Sequence, residues 1–339
     1  MANSLQTIIR GATRKDDAPL NIISFCTHEA YQNNLAYTNS RFYLFRAPDQ
    51  GVKEWDSTYR PVPNGTILLN PTLKGKQLLD YVDYDLVLEQ NKGCQYNIAK
   101  QISTQLQIPL ISLTHFLPPP TYKPSNFRQY KLAKADYNVF ITDYNRRAWG
   151  YKQEESVVIY HGIDTEFFKP DESIERQDHA LVVVNDFIGR GTFVGFEPFC
   201  QITGYPNNSF VKFKALGNTP GFSTPAKDHN ELLMSYRQCG VFLNTSLISP
   251  IPMVLLESAS CGCPIVSSLN CAIPNIFTHK HDALLSNNPD ELRSYCQQLL
   301  QDKDMARELG ENARKTILEK FTLERFVNDW NSLFRRAVS

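Results

Sequence analysis

Short apolar runs alternate with longer amphipathic stretches along most of the chain. An apolar run between turn residues predicts a buried strand, and apolar residues three and four positions apart predict a helix. The strands predicted in the first half are residues 20–25, 42–45, 66–69, 85–89, 109–114, 137–142 and 157–160. The helices predicted between them are one ending at residue 35 and residues 74–82, 96–106, 127–135 and 143–149. This alternation is typical of a parallel sheet with helices on its faces.

The same alternation continues in the second half, after a polar segment that reaches Asp178. The strands predicted there are residues 180–185, 211–216 and 241–244 and one that begins at residue 265. The predicted helices are residues 196–203, 229–237, one that starts near residue 251 and runs to residue 260, and residues 290–300, followed by two within residues 305–317 and 326–334. Because 339 residues suffice for two domains, we predict two α/β domains that divide near residue 160.

The segment of residues 242–268 predicts a strand, a loop, a short helix and a further strand in close succession. We expect Pro252 in the first turn of the helix, where its missing N–H costs nothing. Gly262 and Pro264 end the helix. In an open parallel sheet ligands bind where strands give way to helices, and the free N–H groups of a helix N-terminus favour a phosphate.

Glu257 lies in the second turn of this helix, one turn beyond Met253. A carboxylate repels a phosphate, so we expect Glu257 to face a neutral donor such as a sugar hydroxyl. The alternative is a buried helix whose Glu257 points to solvent. The residues alone leave both alternatives open.

Arg190 follows the first strand of the second half, in a predicted loop between Gly189 and Gly191. Glycine lets a ligand approach the backbone, and arginine offers a charged fork to a pyrophosphate. The alternative is a surface arginine in a flexible loop. Asn244 and Ser246 follow a later strand, where they would either bind polar ligand atoms or cap the loop.

His115 directly follows the strand predicted at residues 109–114. An imidazole at the end of a strand would donate to, or accept from, a sugar hydroxyl. His28 follows the first strand and is a weaker candidate for the same role. For both residues the alternative is a histidine whose hydrogen bonds are purely structural.

The amino-acid composition argues against several classes of function. Lys and Arg together number 35, as do Asp and Glu, so the net charge is zero, which argues against a nucleic-acid-binding protein that relies on bulk charge. The eight cysteines lie mostly in apolar runs without two pairs at metal-ligand spacing, so we expect no zinc site and a reducing compartment. The N-terminal residues lack the apolar core of a signal peptide, and no run reaches the ~20 apolar residues of a transmembrane helix. We therefore expect a cytoplasmic protein.

Three segments carry a family signature. They are residues 158–170, VIYHGIDTEFFKP; residues 231–247, ELLMSYRQCGVFLNTSL; and residues 249–266, SPIPMVLLESASCGCPIV. Together they resemble the interdomain segment, the helix and strand before the donor loop, and the donor motif of retaining glycosyltransferases with the two-domain GT-B fold, in the broad family 4. The resemblance covers most of the second half, and the first half matches only in outline.

The resemblance implies an α/β fold of two Rossmann-like domains that face each other across a cleft. Residues 1–160 would form the acceptor-side domain, and residues 161–321 the nucleotide-sugar-binding domain. Residues 322–339 would form a C-terminal helix that crosses back to the first domain.

The resemblance also implies roles for individual residues. Glu257 would bind the ribose hydroxyls of the donor, and the backbone N–H groups of Met253 and Val254 would hold its pyrophosphate. Arg190 falls near a phosphate-binding basic position, and His115 near a histidine that faces the transferred sugar. The implied catalytic set is His115, Arg190 and Glu257, and the implied donor-binding set is Arg190, Asn244, Ser249, Pro252, Met253, Val254 and Glu257.

The sequence departs from the family pattern in three places. Ser249 stands where a first glutamate normally contacts the transferred sugar, so we expect changed sugar contacts. No Gly-Gly turn occurs at residues 27–31. The usual Arg and Lys phosphate pair is reduced to Arg190, with Lys212 and Lys214 as candidate substitutes.

From the resemblance we expect transfer of a sugar from a UDP- or GDP-linked donor to a hydroxyl of a glycan, lipid or small molecule. The transfer would retain the anomeric configuration and need no metal or other cofactor. The alternatives are a non-catalytic nucleotide-sugar-binding relative and a sugar-nucleotide epimerase of the same fold. We expect a monomer or dimer with no nucleic-acid partner, and the sequence leaves peripheral membrane contact open.

Overall fold

The computed structural model describes residues 18–207 and 209–339. The chain divides into two compact units. The first unit contains the residues up to Tyr160 together with Glu324–Ser339, and the second contains His161–Leu323. Within the described part of the chain, no helix is both long enough and apolar enough to pass through a bilayer.

The first unit is built on a seven-stranded sheet in which every neighbouring pair is parallel. Its strands are β1 (Leu20–Phe25), β2 (Ser40–Phe45), β3 (Thr66–Leu68), β4 (Leu86–Glu89), β5 (Leu110–Thr114), β6 (Tyr137–Phe140) and β7 (Val157–Val158). They lie in the order β3-β2-β1-β4-β5-β6-β7. The direction of strand addition reverses between β1 and β4, and in such sheets ligands bind beyond the carboxyl ends of the strands at that point.

Four α-helices of the described part of the chain connect the strands of the first unit. They are α1 (Glu29–Leu35), α2 (Tyr96–Leu106), α3 (Pro124–Leu132) and α4 (Asp143–Ala148). Ala99 and Ile102 of α2 share a hydrophobic core with Val87 of β4 and Leu110 of β5. The apolar spacing that predicted α2 therefore corresponds to the face that α2 buries against the sheet.

The prediction of a helix at residues 74–82 is wrong. The chain forms a 3-10 helix, Pro71–Lys76, and then continues through turns to β4. Pro71 suits the first turn of this short helix. Gly75 disfavours a helix, so the 3-10 helix is not extended into an α-helix. The partly buried Leu78, Leu79 and Val82 reach the core from irregular backbone instead.

The second unit contains a five-stranded sheet that is also entirely parallel. Its strands are β8 (Gln177–Val183), β9 (Phe213–Leu216), β10 (Cys239–Asn244), β11 (Ile265–Ser268) and β12 (Leu284–Ser286). Their order is β12-β11-β10-β8-β9, so the switch point lies between β8 and β10. The predicted α/β class with two parallel sheets is confirmed.

Among the described residues, seven α-helices belong to the second unit. They are α5 (Phe187–Arg190), α6 (Phe196–Thr203), α7 (His229–Gln238), α8 (Met253–Ser260), α9 (Ile273–Ile276), α10 (Pro289–Gln301) and α11 (Lys303–Lys320). The sequence analysis missed α5, α9 and β12, because three or four residues are too few to show a periodicity.

The last helix, α12 (Leu323–Val338), packs on the first unit, as predicted. The indole N–H of Trp330 donates to the hydroxyl of Tyr31 on α1 at 3.0 Å. The ring of Phe334 lies 6.4 Å from the ring of Phe42 on β2. Aromatic side chains on one face of α12 therefore complete the core on this side of the first sheet.

Candidate functional site

Glu257 is buried on α8, with 4% of its surface exposed. The hydroxyl of Tyr236 on α7 donates to its Oε2 atom at 2.9 Å. The alternative in which Glu257 points to solvent is therefore wrong. Tyr236 was missed in the sequence, where its only signal is its place on the apolar face of α7, three residues after the buried Leu233.

The helix α8 begins at Met253, two residues later than predicted. Pro252 is its N-cap, with φ −71° and ψ 129°, and so lies before the first turn instead of within it. An extended backbone at this proline ends the loop and lets the helix start at Met253. Among the described residues, neither Met253 nor Val254 has a hydrogen-bond partner for its backbone N–H. Two donors at the positive end of a helix of eight residues are thus available to an anion.

Arg190 is an exposed residue at the end of the one-turn helix α5. The prediction that it lies in a loop is therefore wrong, since Phe187–Arg190 closes a helical turn directly after β8. Its guanidinium makes one long contact, 3.4 Å, to the carbonyl of Asn185. This contact is at the limit of a hydrogen bond, so it offers little resistance if Arg190 turns toward a ligand.

Backbone contacts hold the segment after Arg190 against the loop that leads to α8. The carbonyl of Phe193 accepts from the N–H groups of Leu247 at 3.1 Å and Ile248 at 3.0 Å. Gly195, with φ +74°, lies so close to Thr245 that an added Cβ would be 1.9 Å from its carbonyl oxygen. The structure thus brings together two predicted phosphate-binding elements, which follow the adjacent strands β8 and β10 at the switch point.

Asn244 and Ser246 use their polar atoms to shape this loop. The Asn244 amide donates to Ser267 Oγ at 2.9 Å and accepts from the Ser246 N–H at 3.4 Å. Ser268 donates to the Ser246 carbonyl at 2.6 Å. Both residues are buried, whereas Ser249, further along the loop, is half-buried. Asn244 and Ser246 therefore tie the end of β10 and the loop after it to β11.

The structure does not place the candidate lysines at the carboxyl edge of the sheet, where Arg190 and the start of α8 lie. Lys212 precedes β9, and Lys214 lies in the strand with its ammonium 2.9 Å from Ser235 Oγ. Arg190 and the start of α8 lie beyond the carboxyl ends of their strands. Strand direction thus separates both lysines from the expected phosphate position.

His115 follows β5 in the first unit, as predicted, and is half-buried. Its Nε2 atom lies 3.2 Å from Oε1 of Gln90. The ring of Tyr31 meets it edge-on at 4.6 Å, and the exposed His28 lies 6.0 Å away in a stacked orientation. The structure brings the two predicted histidines together. Gln90 was missed, although it follows β4 just as His115 follows the adjacent β5.

A second buried polar group, also missed, lies close to β4 and β5. Glu89 is fully buried and accepts a hydrogen bond from Ser112. Burial raises the pKa of the Glu89 carboxyl to about 7. Burial also lowers the pKa of Lys92 to about 8, while its ammonium donates to Asn138 and Tyr151 at 3.1 Å each. These shifts identify a pH-sensitive group inside the first unit.

Comparison with known proteins agrees with this geometry. Residues 215–316 match the model of the family Glycosyl transferases group 1. An uncharacterized glycosyltransferase of Methanocaldococcus jannaschii is 21% identical over 286 residues, which cover 77% of this chain and 78% of that protein. N-acetyl-alpha-D-glucosaminyl L-malate synthase of Bacillus anthracis is 30% identical over 84 residues, 24% of this chain and only 22% of that relative's length. The predicted resemblance to glycosyltransferases is confirmed for the region that contains Glu257 and α8.

Two solved structures show the same fold along almost the whole chain. Sucrose-phosphate synthase of Thermosynechococcus elongatus has a TM-score of 0.70 at 15% identity, covering 94% of this chain and 98% of that one. HepE of Anabaena in complex with UDP has a TM-score of 0.69 at 15% identity, covering 94% of this chain and 100% of that one. The chain therefore has the GT-B fold of these proteins.

Proposed function

We propose that this chain, whose residues 215–316 carry the signature of glycosyl transferases group 1, moves a sugar from a nucleoside-diphosphate sugar to an acceptor hydroxyl with retained anomeric configuration. The observation that carries the proposal is the pair of N–H groups at Met253 and Val254, which have no partner among the described residues and lie one turn before the buried Glu257. Related structures of HepE hold UDP and UDP-glucose, which supports a uridine diphosphate donor as the first to test.

The diphosphate binds at the N-terminus of α8. The N–H groups of Met253 and Val254 donate to its oxygens, and Arg190 supplies a positive charge from the neighbouring segment. Negative charge grows on the diphosphate as the bond to the sugar breaks, so contacts made here strengthen in the transition state. Losing one such contact raises the barrier by about 2.7–4 kcal/mol. Because Arg190 and the helix supply this charge, the proposed reaction proceeds without a metal.

Glu257 accepts hydrogen bonds from the ribose of the donor. Its position one turn along α8 separates the carboxylate from the phosphate, and the Tyr236 hydroxyl fixes the orientation of its Oε2 atom. Ser249, in the loop before α8, offers a neutral hydroxyl where the family pattern has a glutamate. In the first unit, His115 binds a sugar hydroxyl.

The proposal is tested by donor binding followed by turnover. Thermal shifts with UDP-, GDP-, ADP- and CMP-linked sugars identify the donor, and release of the nucleotide with trial acceptors measures transfer. Glu257→Ala should weaken donor binding by about tenfold or more, since a buried contact to a charged group is worth about 1.5–3 kcal/mol. Glu308→Ala, at an exposed position on α11, is the matched control and should leave binding unchanged.

Each outcome separates the proposal from its alternatives. Stabilisation by a nucleotide without release from any sugar donor would indicate a non-catalytic binding protein. Conversion of UDP-N-acetylglucosamine without an acceptor would indicate an epimerase. Unchanged affinity in Glu257→Ala would remove the ribose assignment. Turnover that disappears with EDTA and returns with a divalent cation would refute metal independence.

A further inference from the structure

Three buried glutamines join the carboxyl ends of β1 and β4 in the first unit. Gln90 lies at the centre, and all three side chains are buried. Its backbone N–H donates to Oε1 of Gln95 at 2.8 Å, and its side-chain amide donates to Oε1 of Gln32 at 2.9 Å. Gln95 in turn donates to the Cys26 carbonyl at 3.2 Å. These contacts fix Gln90 directly beside His115.

The surroundings of Gln90 determine which way its amide points. Its Nε2 atom lies 3.4 Å from the Phe25 carbonyl, which can only accept a hydrogen bond. It also lies 3.2 Å from Ser24 Oγ, whose own proton is donated to the Leu88 carbonyl at 2.9 Å. Ser24 therefore accepts from Gln90 as well. Two acceptors keep the NH₂ group on this side, so the amide oxygen faces His115.

We infer that Gln90 is a positioning residue that holds the neutral His115 ring in the tautomer with its proton on Nε2. The amide oxygen of Gln90 can only accept, and it lies 3.2 Å from that nitrogen. A neutral imidazole protonated at Nε2 carries its lone pair on Nδ1. The inference deepens the proposed function, on which it rests for the role of His115 toward a sugar.

Aromatic contacts also support the His115 ring. Tyr31 of α1 meets it edge-on, and His28 stacks at its other side. The Tyr31 hydroxyl accepts from Trp330, so α12 also contributes to this support. Arg325 and Asp329 of α12 form an ion pair, and both act electrostatically on Tyr31. These contacts orient the ring, whereas the Gln90 oxygen selects the position of its proton.

The tautomer is measurable without any substrate. In the full-length protein labelled with ¹⁵N at histidine, His115 is assigned from the signals that disappear in His115→Gln. We expect a proton-bearing nitrogen at Nε2 and a lone-pair nitrogen at Nδ1 above the pKa of the ring. A neutral ring protonated at Nδ1 would overturn the inference. Because this measurement does not depend on turnover, it stands even if the proposed transferase activity is absent.

Gln90→Glu provides the second test. A carboxylate opposite Nε2–H should raise the His115 pKa by about 1–3 units, because it stabilises the imidazolium. Gln77→Glu is the matched control, since Gln77 is also buried in the first unit but bonds to the backbone of Arg46, and it should leave the His115 pKa unchanged. In an active enzyme, the acidic limb of the kcat/KM profile should move with the His115 pKa in Gln90→Glu.

The outcomes keep the two proposals apart. An unchanged His115 pKa in a folded Gln90→Glu protein would overturn the role of Gln90. The near-isosteric Gln90→Met, which keeps the volume but removes the acceptor, should give a mixture of tautomers, and retention of the Nε2–H form alone would also overturn it. A wild-type protein with the Nε2–H tautomer but no turnover would contradict the proposed function and leave the assignment to Gln90 intact.

Discussion

The hydroxyl of Tyr236 donates a hydrogen bond to Oε2 of Glu257 across 2.9 Å, and both side chains are buried. The two residues belong to α7 and α8, so the contact orients the carboxylate from a neighbouring helix. Burial, reinforced by the carboxylate, raises the pKa of the Tyr236 phenol well above its ordinary value. The phenol therefore remains a donor across the physiological pH range.

Tyr236→Phe should weaken binding of UDP by about tenfold. The substitution keeps the ring but deprives a buried carboxylate of one donor, which costs about 1–3 kcal/mol. Isothermal titration with UDP measures the effect. Tyr295→Phe, at a half-buried position on α10, is the matched control. Equal affinities for the wild type and Tyr236→Phe would show that the donor site does not depend on this contact.

Arg190→Gln should lower kcat by about 10²–10³-fold with the preferred donor, because a charged contact to the leaving diphosphate is lost in the transition state. The folded protein should be little affected, since Arg190 is exposed and its guanidinium makes a single long hydrogen bond to the part of the chain that the structure describes. Steady-state rates at saturating donor measure the change. Arg307→Gln on α11, also exposed, should keep the wild-type rate. A rise in KM with unchanged kcat would instead mean that Arg190 contacts the donor equally in the ground state and the transition state.

Gly195→Ala should destabilise the second unit much more than Gly221→Ala. Both glycines have similar positive φ, +74° and +73°, so both variants incur about 1–2 kcal/mol of backbone strain. Only at Gly195 does the new Cβ meet the Thr245 carbonyl, at 1.9 Å, whereas at Gly221 nothing lies within 4 Å. Urea unfolding measures the difference. Equal losses would mean that the Arg190 segment moves away from Thr245 at no cost.

Glu89→Gln should alter the pH dependence of stability. Burial raises the pKa of Glu89 from 4.5 to about 7, so between these values the folded state retains a proton that the unfolded state releases. The free energy of unfolding of the wild type should therefore fall, by up to roughly 3 kcal/mol, as the pH rises from about 4.5 to 7. Glutamine does not titrate, so Glu89→Gln should lack this decline.

Urea unfolding at pH 5, 6 and 7 measures this slope. The exposed Glu311→Gln on α11 is the control and should keep the wild-type slope. Burial lowers the pKa of Lys92 to about 8, and this group acts mainly above that pH, where it makes stability rise with pH. Identical slopes in the wild type and Glu89→Gln would show that the carboxyl is ionised in the folded protein at pH 5.

Much of the fold was predictable because it rests on local patterns. The helix predicted at residues 96–106 is α2, and the strand predicted at residues 20–25 is β1. Both are long enough for the apolar period to appear. The helix predicted at residues 74–82 fails because its apolar residues are buried without regular backbone. Elements of one turn, such as α5, carry no period at all.

The sequence could identify candidate polar residues, but it could not show which of them already form hydrogen bonds within the fold. The sequence identified Glu257, Arg190 and His115 as candidates from strand ends, a helix start and a resemblance. It could not show that the Asn244 amide already donates a hydrogen bond to Ser267, because Ser267 lies on another strand. It also missed Gln90, since glutamine has no distinctive chemistry until its surroundings fix the direction of its amide.

The sequence by itself determined the two parallel α/β sheets, the start of α8 within two residues and the family to which residues 215–316 are similar. These features depend on the order of apolar residues and on residues close together in the chain. Only the tertiary structure decided that Tyr236 holds Glu257 and that Gln90 faces His115. Such pairs come from separate elements, and their hydrogen bonds form only when strand order and packing bring the donor within about 3 Å of its acceptor.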